Sequence, residues 1–178
     1  VTCNLFAGCM WVPLVFLPAF ASDVLGVPLQ EGAQVLAWIG ISSTVGRLVI
    51  GRLAMSVPCL RLIQVCCSLS GCAVVMLAAA PAAPWLLWVF VFIFGLNAGS
   101  VIALLAPLCV EVMGLVNLPV AFGLLCSVQA PGVIAMPALM GAVRDSTENG
   151  SWTPVWLITG LAMAFAPLLL CKITRPNP

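Results

Sequence analysis

The sequence predicts an all-α membrane protein with six transmembrane helices, and three observations predict it. Of 178 residues, 63% are hydrophobic. Only six Lys or Arg and five Asp or Glu occur, with no histidine and no tyrosine. Residues 62–110 run without a single charge. A soluble domain carries about a quarter charged residues because its surface faces water, and 6% cannot coat one. A bilayer tolerates this composition, provided spans of about 20 apolar residues satisfy their own backbone groups.

The charges partition the chain, read as one six-helix bundle over 1–178, into spans at about 4–22, 32–56, 60–80, 85–110, 115–141 and 153–172. The first contains Pro13 and Pro18, and Asp23 and Glu31 bracket the loop after it. Arg47 and Arg52 interrupt the second, and Arg61 closes the next loop. The charge-free 62–110 exceeds one helix and fits two, split at Pro81-Ala-Ala-Pro84, with Glu111 ending the fourth. Pro131 and Pro137 lie inside the fifth, and Arg144-Asp145-Ser-Thr-Glu148-Asn-Gly is a polar loop in which Arg144 and Asp145 make loop contacts. Lys172 and Arg175 follow the sixth. Prolines inside spans are tolerated because neighbouring helices re-satisfy the freed carbonyls.

The chain starts at Val1, without an initiator Met or a basic leader. Residues 1–22 therefore read as a true span rather than a signal peptide, and the chain as a fragment. Lys and Arg concentrate in the loop after span two and in the C-terminal tail, which the positive-inside rule makes cytoplasmic. The sequon Asn149-Gly-Ser151 then falls on the outer side. The net charge of +1 says nothing about nucleic acid, but no basic patch exists, so no nucleic-acid partner is expected and membrane lipid is the expected surround. The nine cysteines sit almost entirely inside apolar runs, without zinc-ligand spacing, and read as small core residues. With no histidine and no carboxylate inside a span, acid–base catalysis lacks its usual groups. No enzyme activity and no cofactor are expected.

Arg47 is the informative residue. It lies ~15 residues into the second span, where burying a guanidinium costs ~2.5–3.5 kcal/mol. Such a charge faces a protein interior or a water-filled cavity; the alternative is snorkelling to the headgroups. Gly40, Ser43, Thr44, Arg47 and Gly51 recur at helical spacing and share one small, polar face, while Leu36, Ile39, Leu48 and Ile50 belong largely to other faces. That face suits a cavity wall or a close helix contact. Without an in-span carboxylate to neutralise it, Arg47 should attract an anion, and its fork matches a carboxylate in two parallel hydrogen bonds. The other mid-span polar residues are Asn97, Ser100, Ser127, Gln129 and Thr159. Asn97 sits within Gly95-Leu-Asn-Ala-Gly99, a GxxxG pattern that serves either helix packing or cavity lining. Gln129 precedes Ala-Pro131-Gly132, where a bent helix exposes backbone carbonyls.

Gly46-Arg47-Leu-Val-Ile-Gly51-Arg52-Leu-Ala54 resembles the eighth helix and following loop of the monocarboxylate transporters, within the major facilitator superfamily. Val110-Glu111-Val-Met-Gly114 resembles that family's acidic end of helix ten. Ala121-Phe-Gly123 and Pro137-Ala-Leu-Met-Gly141-Ala-Val-Arg-Asp145 resemble its helix eleven. The resemblance, ordered over residues 10–172, implies the C-terminal half of a twelve-helix fold. It implies alternating-access transport of a small organic anion, with Arg47 holding the substrate carboxylate and Ser43, Thr44, Asn97 and Gln129 as polar wall. It also implies a plasma-membrane symporter whose partners are an N-terminal six-helix half and a single-span chaperone glycoprotein. Three positions depart from the family pattern. Ser43 stands where proton-coupled members carry an aspartate, Met55 replaces a loop acid, and Ala98 stands where some members place a bulky aromatic. The competing reading is a non-transporting six-helix scaffold or truncated isoform.

Overall fold

The computed structural model describes residues 2–26, 28–80, 83, 85–147 and 150–170. These form six α-helices: α1 (Thr2–Leu25), α2 (Leu29–Leu53), α3 (Cys59–Leu77), α4 (Trp85–Met113), α5 (Leu118–Asp145) and α6 (Thr153–Leu170). Glu148, sequon residue Asn149, Pro81, Pro84, Lys172 and Arg175 lie outside the described residues. Among the described residues, five helices are long and apolar enough to cross a membrane, and the sixth contributes a shorter apolar stretch, Thr153–Pro167. The chain is a multi-pass membrane protein.

Prolines and glycines set the helix ends. Pro28 and Pro58 immediately precede α2 and α3, and a proline occupies the first turn of α5. A helix start needs no N–H from proline, and its fixed φ is already helical. Gly26 and Gly114 follow α1 and α4 with φ of 64° and 77°, a left-handed turn that other residues resist. The end at Gly114 delays α5 to Leu118, and that helix runs through Pro131 and Pro137 to Asp145, beyond the 115–141 span read from hydropathy.

The dominant helix pairs are α2 with α4, α3 with α6, α1 with α5, and α3 with α4, followed by α1 with α6 and α1 with α2. Exchanging α1–α3 for α4–α6 maps this pattern onto itself: α2·α4 becomes α5·α1, and α3·α4 becomes α6·α1. Such symmetry marks a three-plus-three repeat, in keeping with half of a major facilitator fold.

Glycine brings three of these pairs together. A side chain on Gly46 would collide with the Leu96 carbonyl of α4, and one on Gly8 with the Gly132 carbonyl of α5. A Cβ on Gly71 would lie 2.5 Å from the Ala164 nitrogen and 2.8 Å from the Gly160 carbonyl of α6. In hydrocarbon, helices gain nothing from hiding apolar surface from water, so close backbone approach and van der Waals contact must hold them. The buried interior is apolar and aromatic, with Phe20, Phe90, Phe94, Leu17, Leu77 and Trp156 at its centre. A smaller cluster of Cys59, Leu62, Ile63, Cys66, Cys67, Val101 and Leu104 fills the space between α3 and α4 towards the α2–α3 turn. Burial is uneven. Half of the span in α1, α3 and α4 is buried, against 22% in α2 and 6% in α5, so α2 and α5 present most of their surface outward.

Gly71→Val should destabilise the solubilised protein by ~1–3 kcal/mol, the usual cost of overpacking. Gly123→Ala, where nothing lies within 4 Å of the added carbon, should be neutral or slightly stabilising. Thermal unfolding in detergent separates the two outcomes.

Candidate functional site

A recess of about 250 Å³ opens between α1, α2 and α4. One wall is a stripe of α2, namely Leu36, Ile39, Gly40, Ser43 and Arg47. Helix α1 contributes Met10, Trp11 and Leu14, and α4 contributes Phe94, Gly95, Ala98, Gly99 and Ile102. Its polar side chains are Ser43 and Arg47, so the recess is one cation and one hydroxyl set in an apolar bowl.

The GxxxG pattern on α4 creates the seat for that cation. Gly95 lies where a Cβ would come within 2.7 Å of the Ser42 side chain and 2.9 Å of the Ile39 carbonyl. At Gly99 an added Cβ would overlap the Ser43 hydroxyl and stand 3.2 Å from Arg47 Nε. Gly99 is the central residue of the 29-residue α4. The Arg47 side chain is exposed, and its Nε runs beside the midpoint of this membrane-length helix. Among the described residues, no carboxylate pairs with it; the ion pair present joins Arg144 to Asp23 elsewhere.

Sequence reasoning placed five residues on the site, and the structure gathers two of them in the recess, Arg47 and Ser43. Thr44, one residue round the helix, is exposed and donates its hydroxyl to the Gly40 carbonyl at 3.1 Å. Asn97 lies two residues from each glycine of the α4 pattern, so it points away from α2, and its amide donates to the Ile93 carbonyl at 2.7 Å. Gln129 is half-buried on α5, outside the lining. The glycines serve both roles weighed for them, packing α4 on α2 and flooring the recess.

One expectation is corrected. Leu36 and Ile39 were assigned to other faces of the second helix, yet both line the recess with Gly40, Ser43 and Arg47. At 100° per residue, positions 36, 39, 40, 43 and 47 form one continuous stripe, so the polar face is half apolar. The residues the sequence did not single out are Met10, Trp11, Leu14, Phe94 and Ile102. Apolar side chains fill every span, and none of these carries a signal until α1 and α4 are brought against α2.

Four of the cysteines, Cys9, Cys59, Cys66 and Cys67, are buried, as small core residues should be, while Cys72 and Cys126 are exposed. The described residues contain no group of side chains able to hold a metal ion.

No family model matches the chain. Individual curated proteins do. The chain is 29% identical over 161 residues to human monocarboxylate transporter 12, covering 88% of the chain and 30% of that protein. It is 29% identical over 166 residues to monocarboxylate transporter 10 of Danio rerio, covering 92% of the chain and 32% of the relative. Against monocarboxylate transporter 3 of Mus musculus the identity is 28% over 180 residues, covering 98% and 35%. The chain thus spans about a third of the length of the curated relatives it matches. These relatives are transporters, not enzymes.

Gly99→Ala should lower thermal stability by ~1–3 kcal/mol through the overlap with Ser43. Ser43→Gly in the same protein should restore much of that loss. A double-mutant cycle of melting free energies measures the coupling, and strict additivity would disprove the contact.

Proposed function

Because the chain is homologous to the monocarboxylate transporters of the major facilitator superfamily, we propose that it forms the C-terminal six helices of a twelve-helix transporter. That transporter carries a small organic anion, a monocarboxylate, across the membrane by alternating access. The observation that supports this reading above all is the Arg47 side chain lying beside Gly99, at the middle of α4, with no carboxylate partner among the described residues. Arg47 is exposed on this face of the six helices; enclosed between two halves, its guanidinium would attract an anion far more strongly than in water. Its planar fork also favours a carboxylate over a point anion.

In this reading Arg47 anchors the substrate carboxylate and Ser43 offers it a further hydrogen bond. The apolar body of the substrate rests against Trp11, Phe94, Ala98 and Ile102, which line the same recess. Ala98 leaves room there that a bulky aromatic would occupy. Thr44, Asn97 and Gln129 would line the transport path outside the recess. The outward surfaces of α2 and α5 would meet the N-terminal six-helix half, whose contacts complete the cavity. The C-terminus would be cytoplasmic and the membrane the plasma membrane, where a single-span chaperone glycoprotein would assist delivery.

Arg47→Gln in the full-length protein should reduce saturable uptake of a labelled monocarboxylate at least about tenfold, the worth of one charge-assisted hydrogen bond, at unchanged surface expression. Arg47→Lys should recover only part of it, because an ammonium cannot reproduce the bidentate fork. Uptake by Arg47→Gln equal to the wild type would rule out the anchor role.

Proton coupling should be weak, since Ser43 does not titrate near neutral pH. Uptake measured with and without an inward proton gradient should differ little. A steep gradient dependence would place a titrating acid in the other half of the protein.

A further inference from the structure

At the opposite end of α1 from Gly8, a second and larger cavity of about 600 Å³ is bounded by the C-terminal ends of α1, α3 and α5 and the start of α6. Its walls include Phe20, Asp23, Arg144, Ser151, Trp152 and Trp156. Arg144 does not simply contact its own loop, as the sequence suggested. Its Nη2 donates to Asp23 Oδ2 at 2.6 Å, tying the end of α5 to the end of α1. Its guanidinium lies 4.0 Å above the Trp152 ring, which in turn stacks on Trp156 at 5.8 Å and 15°. The cavity is distinct from the Arg47 recess: on α1 the two use different faces, Met10, Trp11 and Leu14 for one and Phe20, Asp23 and Val24 for the other.

Two donors on this wall have no partner among the described residues. They are Arg144 Nε and the indole N–H of Trp156, a residue with no exposed surface. Buried donors in native proteins are nearly always paired, so each orphan calls for an explanation. The charges narrow the choice of ligand. Asp23 and Arg144 hold each other through one oxygen and one nitrogen, leaving the second carboxylate oxygen and the remaining guanidinium donors. A simple anion placed here meets the Asp23 carboxylate, and a simple cation meets Arg144. A molecule carrying both charges complements the pair, and the aromatic stack accommodates an apolar body. The volume lies within the range of small-molecule sites.

We propose that this cavity is a second binding site, separate from the Arg47 recess, for a zwitterionic α-amino acid with an apolar side chain. Its carboxylate takes the donors of Arg144 that Asp23 leaves open. Its ammonium pairs with the second carboxylate oxygen of Asp23. The inference does not depend on the transport reading.

The test uses the purified full-length protein carrying Arg47→Gln, which silences the recess towards carboxylates, with L-leucine, 4-methylpentanoate and 3-methylbutylamine as calorimetric probes. Leucine should bind saturably, and the probes lacking one charge should bind roughly tenfold more weakly or not at all. Asp23→Asn and Arg144→Gln, each in that background, should weaken leucine by a similar factor. The probe series needs neither of these variants, so the proposal stays testable if loss of the ion pair unfolds the bundle. Absence of saturable leucine binding would overturn it, and so would single-charge probes that bind as well as leucine.

Discussion

Backbone contact through glycine is the constraint on which the rest of this structure depends. In water, helices associate because apolar faces leave the solvent. In a bilayer that gain vanishes, and only close approach, dispersion and hydrogen bonds remain. Gly46, Gly95 and Gly99 join α2 to α4, Gly71 and Gly160 join α3 to α6, and Gly8 and Gly132 join α1 to α5. The first and third of these pairs are equivalent under the exchange of the two three-helix halves, so one packing device is used twice.

The same device positions the charge. Gly99 is simultaneously a packing residue and the floor against which Ser43 and Arg47 lie. A larger residue would displace Ser43 and crowd the Arg47 side chain, so the fold and the candidate site cannot vary independently there. A guanidinium in such a place is costly, and the cost is borne only where a water-filled cavity or a ligand compensates it.

The chain contains two contrasting arginines. Arg144 sits at the end of α5, paired with Asp23 and spread over Trp152, so its charge is neutralised at close range and it fastens α5 to α1. Arg47 has apolar neighbours, one hydroxyl and, among the described residues, no paired carboxylate. The first residue is structurally satisfied on one edge, while the second is open to a partner that the described residues do not supply. What differs is the placement of carboxylates: Asp23, near the end of α1, is within reach of Arg144.

Composition alone determined that this is a helical membrane protein, because 11 charges cannot clothe 178 residues in water. The absence of any in-span carboxylate likewise marked Arg47 as the singular residue before any fold was known. Tertiary structure decided what surrounds it. Apolar side chains at every span position look alike in one dimension, so Trp11 and Phe94 gained meaning only when α1 and α4 closed on α2, and Leu36 and Ile39 joined the polar face they had been set apart from. Asn97 shows the converse. Its polarity is visible in the chain, but the glycines on either side of it turn towards α2 and direct its amide to its own helix, which only the packing of α4 could settle.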